Sequence, residues 1–465
     1  NESNDSNPRE LDYPESWTAW LASNRSASSA SPSDNPDGDA YDNLMEYALG
    51  ESPGTGAYRD PQTHGLRLYN EGEAIRAAFH RPSDLLDLRY FLEGSSDATT
   101  WSPIGAEPVV DRREDGFERV TFNDLESFQP LSSDGGFVRL RVELGGSRVS
   151  SHTPVAAWYR RELKEGYQTV GISTVKPDIL SGILASNELR SITVRSGGFL
   201  PSLFESDKHY YMEVASGPHT GHRMDLEGAS DDSISLDPAS PNNTMAALPE
   251  EGLVGERFVI REHQTIGGVF NIGQLTTHRD PLSSDQVLVY QGDEKGYDVY
   301  SPIEAPGYYQ WSKVGDSNLE RRGDTVIAPG QGLFFKRAGE APVSLLVTGN
   351  VRENAFIQRL KAGNNLVAEP FPLPASPDSR NLSTNNGFLK STDPASADQI
   401  QIWQDDGSGY QGYFLLGGEG EEGYWTPVDS ISLEDADETK LFQPDRAVFL
   451  KLQETAHPFY RVEKP

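Results

Sequence analysis

The last third of the chain is written twice, and that duplication constrains the fold more than any other feature. Asp285-Gln-Val-Leu-Val-Tyr-Gln291 matches Asp398-Gln-Ile-Gln-Ile-Trp-Gln404, and Gly296, Tyr297 and Tyr300 match Gly409, Tyr410 and Tyr413. Gly307-Tyr-Tyr-Gln-Trp-Ser-Lys-Val314 then matches Gly423-Tyr-Trp-Thr-Pro-Val428, and Pro329-Gly-Gln-Gly-Leu-Phe-Phe-Lys336 matches Pro444-Asp-Arg-Ala-Val-Phe-Leu-Lys451. Order and spacing hold throughout, so one β unit is repeated. Two copies are too few for an open solenoid, which predicts a compact pair about a pseudo-twofold axis.

The remaining text is also strand and turn. Leu66-Arg-Leu-Tyr69, Ile75-Arg-Ala-Ala-Phe79, Leu88-Arg-Tyr-Phe-Leu92, Glu118-Arg-Val-Thr-Phe122 and Phe137-Val-Arg-Leu-Arg-Val-Glu-Leu144 are short runs between Gly, Asp, Ser and Pro clusters. Such spacing predicts a β-sandwich. Ser191-Ile-Thr-Val-Arg195, Tyr210-Tyr-Met-Glu-Val214, Ser233-Ile-Ser-Leu236 and Arg257-Phe-Val-Ile-Arg261 continue the pattern. The resulting expectation is a mainly β, multidomain protein of sandwich and barrel modules with a small N-terminal helical unit carrying a calcium loop. Its linear partition is a polar tail over 1–15, the helical unit over 16–60, a β-sandwich over 61–153 and a β-rich domain over 154–282. A first β unit over 283–350, a connector over 351–397 and a second β unit over 398–465 complete it. Trp17, Trp20 and Leu21 fall on one helical face, predicted to pack on the calcium unit, and Trp101 reads as a core plug.

Composition excludes several functions. The 465 residues contain no Cys, which removes disulfide scaffolding, zinc thiolate sites and thiol catalysis. A formal charge of −31, from 71 acids and 40 bases, disfavours nucleic acid and anionic membranes as partners. No run approaches the roughly 18 apolar residues of a membrane span. A sequence starting at Asn1 rather than Met is what a secreted protein shows after signal removal, so the expected location is extracellular or at the cell surface.

One segment carries metal-binding chemistry. In Asn35-Pro-Asp-Gly-Asp-Ala-Tyr-Asp-Asn-Leu-Met-Glu46, oxygen donors fall at positions 1, 3, 5, 9 and 12 through Asn35, Asp37, Asp39, Asn43 and Glu46, and position 7 offers the Tyr41 carbonyl. Ca²⁺ takes six to eight oxygens at about 2.3–2.6 Å, and Glu46 on the first turn of a following helix closes such a shell. Asn35 in place of Asp and Ala40 in place of Gly are expected to weaken binding. The alternative is an acidic turn whose Asp and Asn residues are turn formers.

Catalytic signatures are missing from the text. It holds no nucleophile elbow, phosphate loop, HExxH pair or Cys-His pair. His219 and His222 read as turn histidines, and Pro329-Gly-Gln-Gly332 as a tight turn into a strand. A glycoside hydrolase or lyase would need two carboxyl groups about 5–9.5 Å apart, which sequence does not reveal. The repeat aromatics Tyr290, Tyr297, Tyr300, Tyr308, Tyr309, Trp311, Trp403, Tyr410, Tyr413, Tyr424 and Trp425 suit either a strand core or sugar stacking.

Asp37-Gly-Asp39 through Asn43-Leu-Met-Glu-Tyr-Ala-Leu-Gly50 resembles the dockerin-like DPDGDGxxNLLEYALG segment of secreted proteins from Verrucomicrobia and their relatives. The text from Tyr210 to Gly217 and from Pro329 to Leu333 is similar to uncharacterised exported β-rich proteins of that group. The resemblance implies export and an envelope role and transfers no catalytic residue. The expected function is a non-enzymatic structural protein, a calcium-braced subunit of a filament, surface layer or matrix that self-associates or binds envelope components. The alternative is a glycan-binding protein or carbohydrate-active accessory module using the Tyr and Trp clusters.

Overall fold

A computed structural model describes residues 15–24, 31–53, 65–71, 74–113, 115–145, 149–188, 191–194, 204–205, 207–230, 233–245, 253–305, 307–430, 432–454 and 459–464. The protein is mainly β, as predicted. The tail expected over 1–15 lies, apart from Glu15, outside the described residues.

A sandwich forms first in the chain. Its smaller sheet has the order Arg67–Glu71, Ala74–Pro82, Phe117–Phe122, Val109–Arg112. The larger runs Val343–Asn350, Ala156–Leu163, Gly135–Leu144, Leu88–Ser95, Ser102–Pro103, with Ser150–His152 beside Gly135–Leu144. Alternation explains the central strand: Val138, Leu140, Val142 and Leu144 are buried, whereas Arg139 and Arg141 on the other face pair with Glu93. Helix α1 (Glu15–Ser23) packs Trp17 edge-on and Trp20 at a tilt against Tyr47 of helix α2 (Asn43–Leu49). Leu44, Met45, Ala48 and Leu49 of α2 share the sandwich core, so the N-terminal helices have no separate core of their own. Trp101 is no core plug. It lies half-buried under the Arg139 guanidinium, 4.3 Å from its ring, and Ile104 fills the core instead.

The other modules are nested rather than consecutive. Between sandwich strands Ala156–Leu163 and Val343–Asn350, which pair antiparallel, lies the whole first repeat. The first repeat is itself interrupted. Its opening strand Gly166–Val170 pairs with Leu333–Arg337, and a closed six-stranded barrel intervenes. The barrel order is Asp178–Glu188, Ser191–Val194, Ser233–Leu236, Arg223–Ala229, Tyr210–Val214, Arg257–Glu262. Linear boundaries at 153/154, 282/283 and 397/398 therefore cut through ladders that the structure keeps whole. The supposed connector contains Gly363–Ala368, the opening strand of the second repeat. Local patterning marks strands, but antiparallel partners separated by a hundred residues or more leave no local sign.

The repeats are two five-stranded sheets of one topology. Gly166–Val170, Leu333–Arg337, Gln286–Gly292, Gly296–Ala305, Tyr308–Lys313 correspond in order to Gly363–Ala368, Ala447–Leu452, Gln399–Gln404, Gly409–Leu416, Tyr424–Pro427. They meet about a pseudo-twofold axis marked by equivalent rings. Phe334 meets Trp403 at 5.8 Å, Phe449 meets Tyr290 at 5.3 Å, and the two Phe rings lie 6.2 Å apart. Backbone bonds repeat the symmetry: Gly171 N–H donates to Asp445 O (3.0 Å) and Ala368 N–H to Gly330 O (2.9 Å).

Candidate metal centre

The acidic loop sits where the sandwich touches the barrel, and its backbone is fixed by its own side chains. Asn35 Nδ2 donates to Asp39 O (2.8 Å), while Asn35 Oδ1 accepts from Gly38 N (2.7 Å). Asp39 Oδ1 accepts from Tyr41 N (2.7 Å). Gly38 has φ +73°, a conformation for which glycine is suited. Ala40 is not among the residues with positive φ, so alanine at the sixth position brings no backbone strain.

The exit helix is anchored at both ends. Asp42 caps α2 through Met45 N (3.0 Å), and Gly50 closes it in the left-handed conformation with its N–H on Glu46 O and Tyr47 O. Upstream, Asn43 N donates to Asp34 O (2.8 Å), Leu44 N to Pro32 O (3.0 Å) and Asn43 Nδ2 to Ser31 O (2.8 Å). The residues before the loop thus fold back onto α2.

This scaffold gathers the predicted ligands unequally. Asp37, Asp39 and Glu46 are buried, with one carboxylate oxygen from each lying within 4.8 Å of the others; among the described residues this is the one such group. Asn43 is fully buried, and with its Nδ2 committed to Ser31 its Oδ1 has no donor among the described residues. A buried acceptor left unmatched costs about 1–3 kcal/mol, and three close carboxylates repel one another. A hard cation answers both. The oxygen-only donor set, one neutral amide and three carboxylates, fits such an ion. Asn35 is engaged with the loop backbone, and the Tyr41 side chain enters the sandwich core.

Arg257, which sequence reading missed, contacts the loop from the barrel: Nε donates to Gly38 O and Nη2 to Asp39 O, both at 2.7 Å. Nothing near it in the sequence signals this, because the contact spans 219 positions.

The other candidates are dispersed. His219 and His222 have ring centres 6.2 Å apart, and His222 is half-buried with Nδ1 3.2 Å from Thr244 Oγ1. Of the repeat aromatics, Trp311, Trp425, Tyr300 and Tyr413 are buried; Tyr297, Tyr308, Tyr309 and Tyr410 are exposed. Among the described residues no helix is long and apolar enough to cross a membrane.

No family model and no curated protein matches the chain. Among solved structures, a mutant of Kfla1895 in complex with cyclobis-(1->6)-alpha-nigerosyl is 11% identical, with the match covering 43% of this chain and 31% of that one at a TM-score of 0.11. A mutant of Kfla1895 in complex with isomaltose gives 12%, 43%, 30% and 0.11. The match spans less than a third of those chains, and a TM-score so low carries no argument about fold or function.

Proposed function

We propose that residues 35–46 bind calcium and that the protein is a calcium-braced structural component of the cell exterior, a building block of a filament, surface layer or matrix. The observation that carries the metal assignment is the buried set of Asp37, Asp39 and Glu46 beside the unmatched Asn43 Oδ1. Calcium is preferred to magnesium because Mg²⁺ demands near-ideal octahedral geometry and keeps several waters, which a buried all-protein site disfavours. The position between two modules suits a brace, and extracellular modules work with dissociation constants of about 0.1–1 mM. In an assembly, calcium also offsets repulsion between subunits of charge −31.

Calorimetric titration and thermal unfolding with calcium or a chelator test the metal. Calcium at about a hundredfold over its dissociation constant is expected to add about 2.7 kcal/mol of stability. A silent titration together with identical melting in calcium and chelator refutes it. Light scattering on size-exclusion fractions tests assembly: species well above 51.2 kDa that disperse on chelation support the structural role. A calcium-bound protein that stays at 51.2 kDa leaves the brace and removes the assembly.

A further inference from the structure

We infer that calcium in this loop fixes the position of the inserted barrel on the sandwich, with Arg257 as the residue that couples them. The inference rests on the calcium assignment above. One end of the loop runs into α2, whose apolar residues belong to the sandwich core. The other side of the loop is read by the barrel. The Arg257 guanidinium takes two successive carbonyls, Gly38 O and Asp39 O, with two prongs of its fork. Ile183, the register partner of Arg257 on the neighbouring barrel strand, fills the space beside Gly38 so tightly that a Cβ there would lie 2.5 Å from Ile183 Cγ1.

These contacts need the wrapped loop. With Asp37 and Asp39 turned toward a common ion, the Gly38 and Asp39 carbonyls are held where Arg257 meets them. Without an ion the repelling carboxylates work against the loop's own hydrogen bonds, and the pair of carbonyls is expected to be held less firmly for Arg257. The barrel's second attachment is independent of the metal. Buried Glu213 of the barrel accepts from Asn354 (2.8 Å) and Arg352 outside it, and barrel Arg223 donates to Ile357 O (2.7 Å) and Pro329 O (3.1 Å). One fixed and one metal-dependent attachment make a hinge, and linkage requires that barrel docking strengthen calcium binding by the same factor that calcium strengthens docking.

Hydrogen exchange read by mass spectrometry on the full chain, with calcium or chelator, tests the coupling. Reporter amides are Leu184, bonded to Glu256 O (2.9 Å), and Ala215, bonded to Arg257 O (2.8 Å); peptides over 399–404 in the second repeat are the reference. Chelation is expected to deprotect residues 31–46 and the barrel reporters but not the reference. Arg257→Met is expected to abolish the barrel response and lower calcium affinity on the order of tenfold. Arg257→Lys, which keeps charge without the fork, is the gentler variant and is expected to lie between Met and wild type. Silent calorimetry in the wild type refutes calcium binding itself. Binding that protects the loop alone, a uniform change that includes the reference, or unaltered or tighter calcium binding in both variants overturns the coupling.

Discussion

Gly332 and Ala447 are equivalent residues of the two repeats and face each other at the pseudo-twofold axis. A Cβ on Gly332 would lie 2.5 Å from Ala447 Cβ and 2.9 Å from Leu366 Cγ. The axis therefore has room for one methyl. Gly332 is not among the positive-φ residues, so the effect of Gly332→Ala is steric rather than conformational. Overpacking of this kind costs about 1–3 kcal/mol, and we take about 2. Ala447→Gly removes a buried methyl worth about 0.8 kcal/mol and adds glycine entropy of about 0.5–1 kcal/mol, near 1.5 in all. The exchange Gly332→Ala with Ala447→Gly moves the methyl across the axis. Its new neighbour is Leu366, where the old one had the smaller Thr169, so about 1 kcal/mol of strain is expected to remain. Independent effects would sum to about 3.5 kcal/mol, so the cycle predicts a coupling of about 2.5. Urea titrations followed by tryptophan fluorescence measure it, the single Gly332→Ala lowering the melting point by about 4–8 °C for a cooperative unit of repeat-pair size. A double variant as unstable as the sum of the singles would refute the symmetric contact.

Two further predictions use the same assays. Trp425 Nε1 donates to Leu382 O (2.6 Å), whereas the equivalent Trp311 Nε1 is buried with no acceptor among the described residues; Trp425→Phe is expected to cost about 1 kcal/mol more than Trp311→Phe, and equal losses would contradict this. Burial first, then the charges of His219, Arg223 and Arg461, lowers the His222 pKa from 6.5 to about 4. The folded state then binds fewer protons than the unfolded state between those values, so stability that is full above pH 6.5 falls as pH drops toward 4. His222→Gln is expected to flatten denaturant midpoints across that window, and an unchanged slope would assign the pH dependence elsewhere.

Local features were legible in the sequence and distant pairings were not. Val138, Leu140, Val142 and Leu144 announce a strand by alternation, but nothing in them names Leu88–Ser95 as a partner. The duplication was visible where Gln286–Gly292 and Gln399–Gln404 share residues, and invisible where Gly166–Val170 and Gly363–Ala368 share little beyond Gly166/Gly363 and Val170/Val367. Antiparallel pairing tolerates that divergence because backbone groups, not side chains, make the ladder. The acidic ligands lie within one short segment, so their spacing carries the chemistry; Arg257 acts from another module, so its role appears only in the fold. The repeat aromatics show the limit of composition, since Trp311 and Tyr309, two positions apart, end in the core and in solvent respectively.

The nesting also dictates an order of events. Sandwich strand Ala156–Leu163 has one neighbour, Gly135–Leu144, close in sequence, but the other is Val343–Asn350. A chain emerging from synthesis holds that strand's edge open until residue 350 has appeared. An open edge invites pairing with other chains. The barrel shortens the wait in space: Asp178 and Arg261 are register partners, so a folded barrel takes the stretch between them out of the loop that separates the two sandwich strands. Each halving of the effective loop is worth about 0.6 kcal/mol of closure entropy. The modest gain falls on the strands that are otherwise last to find each other, which makes early barrel closure a safeguard for the unfinished first half of the chain.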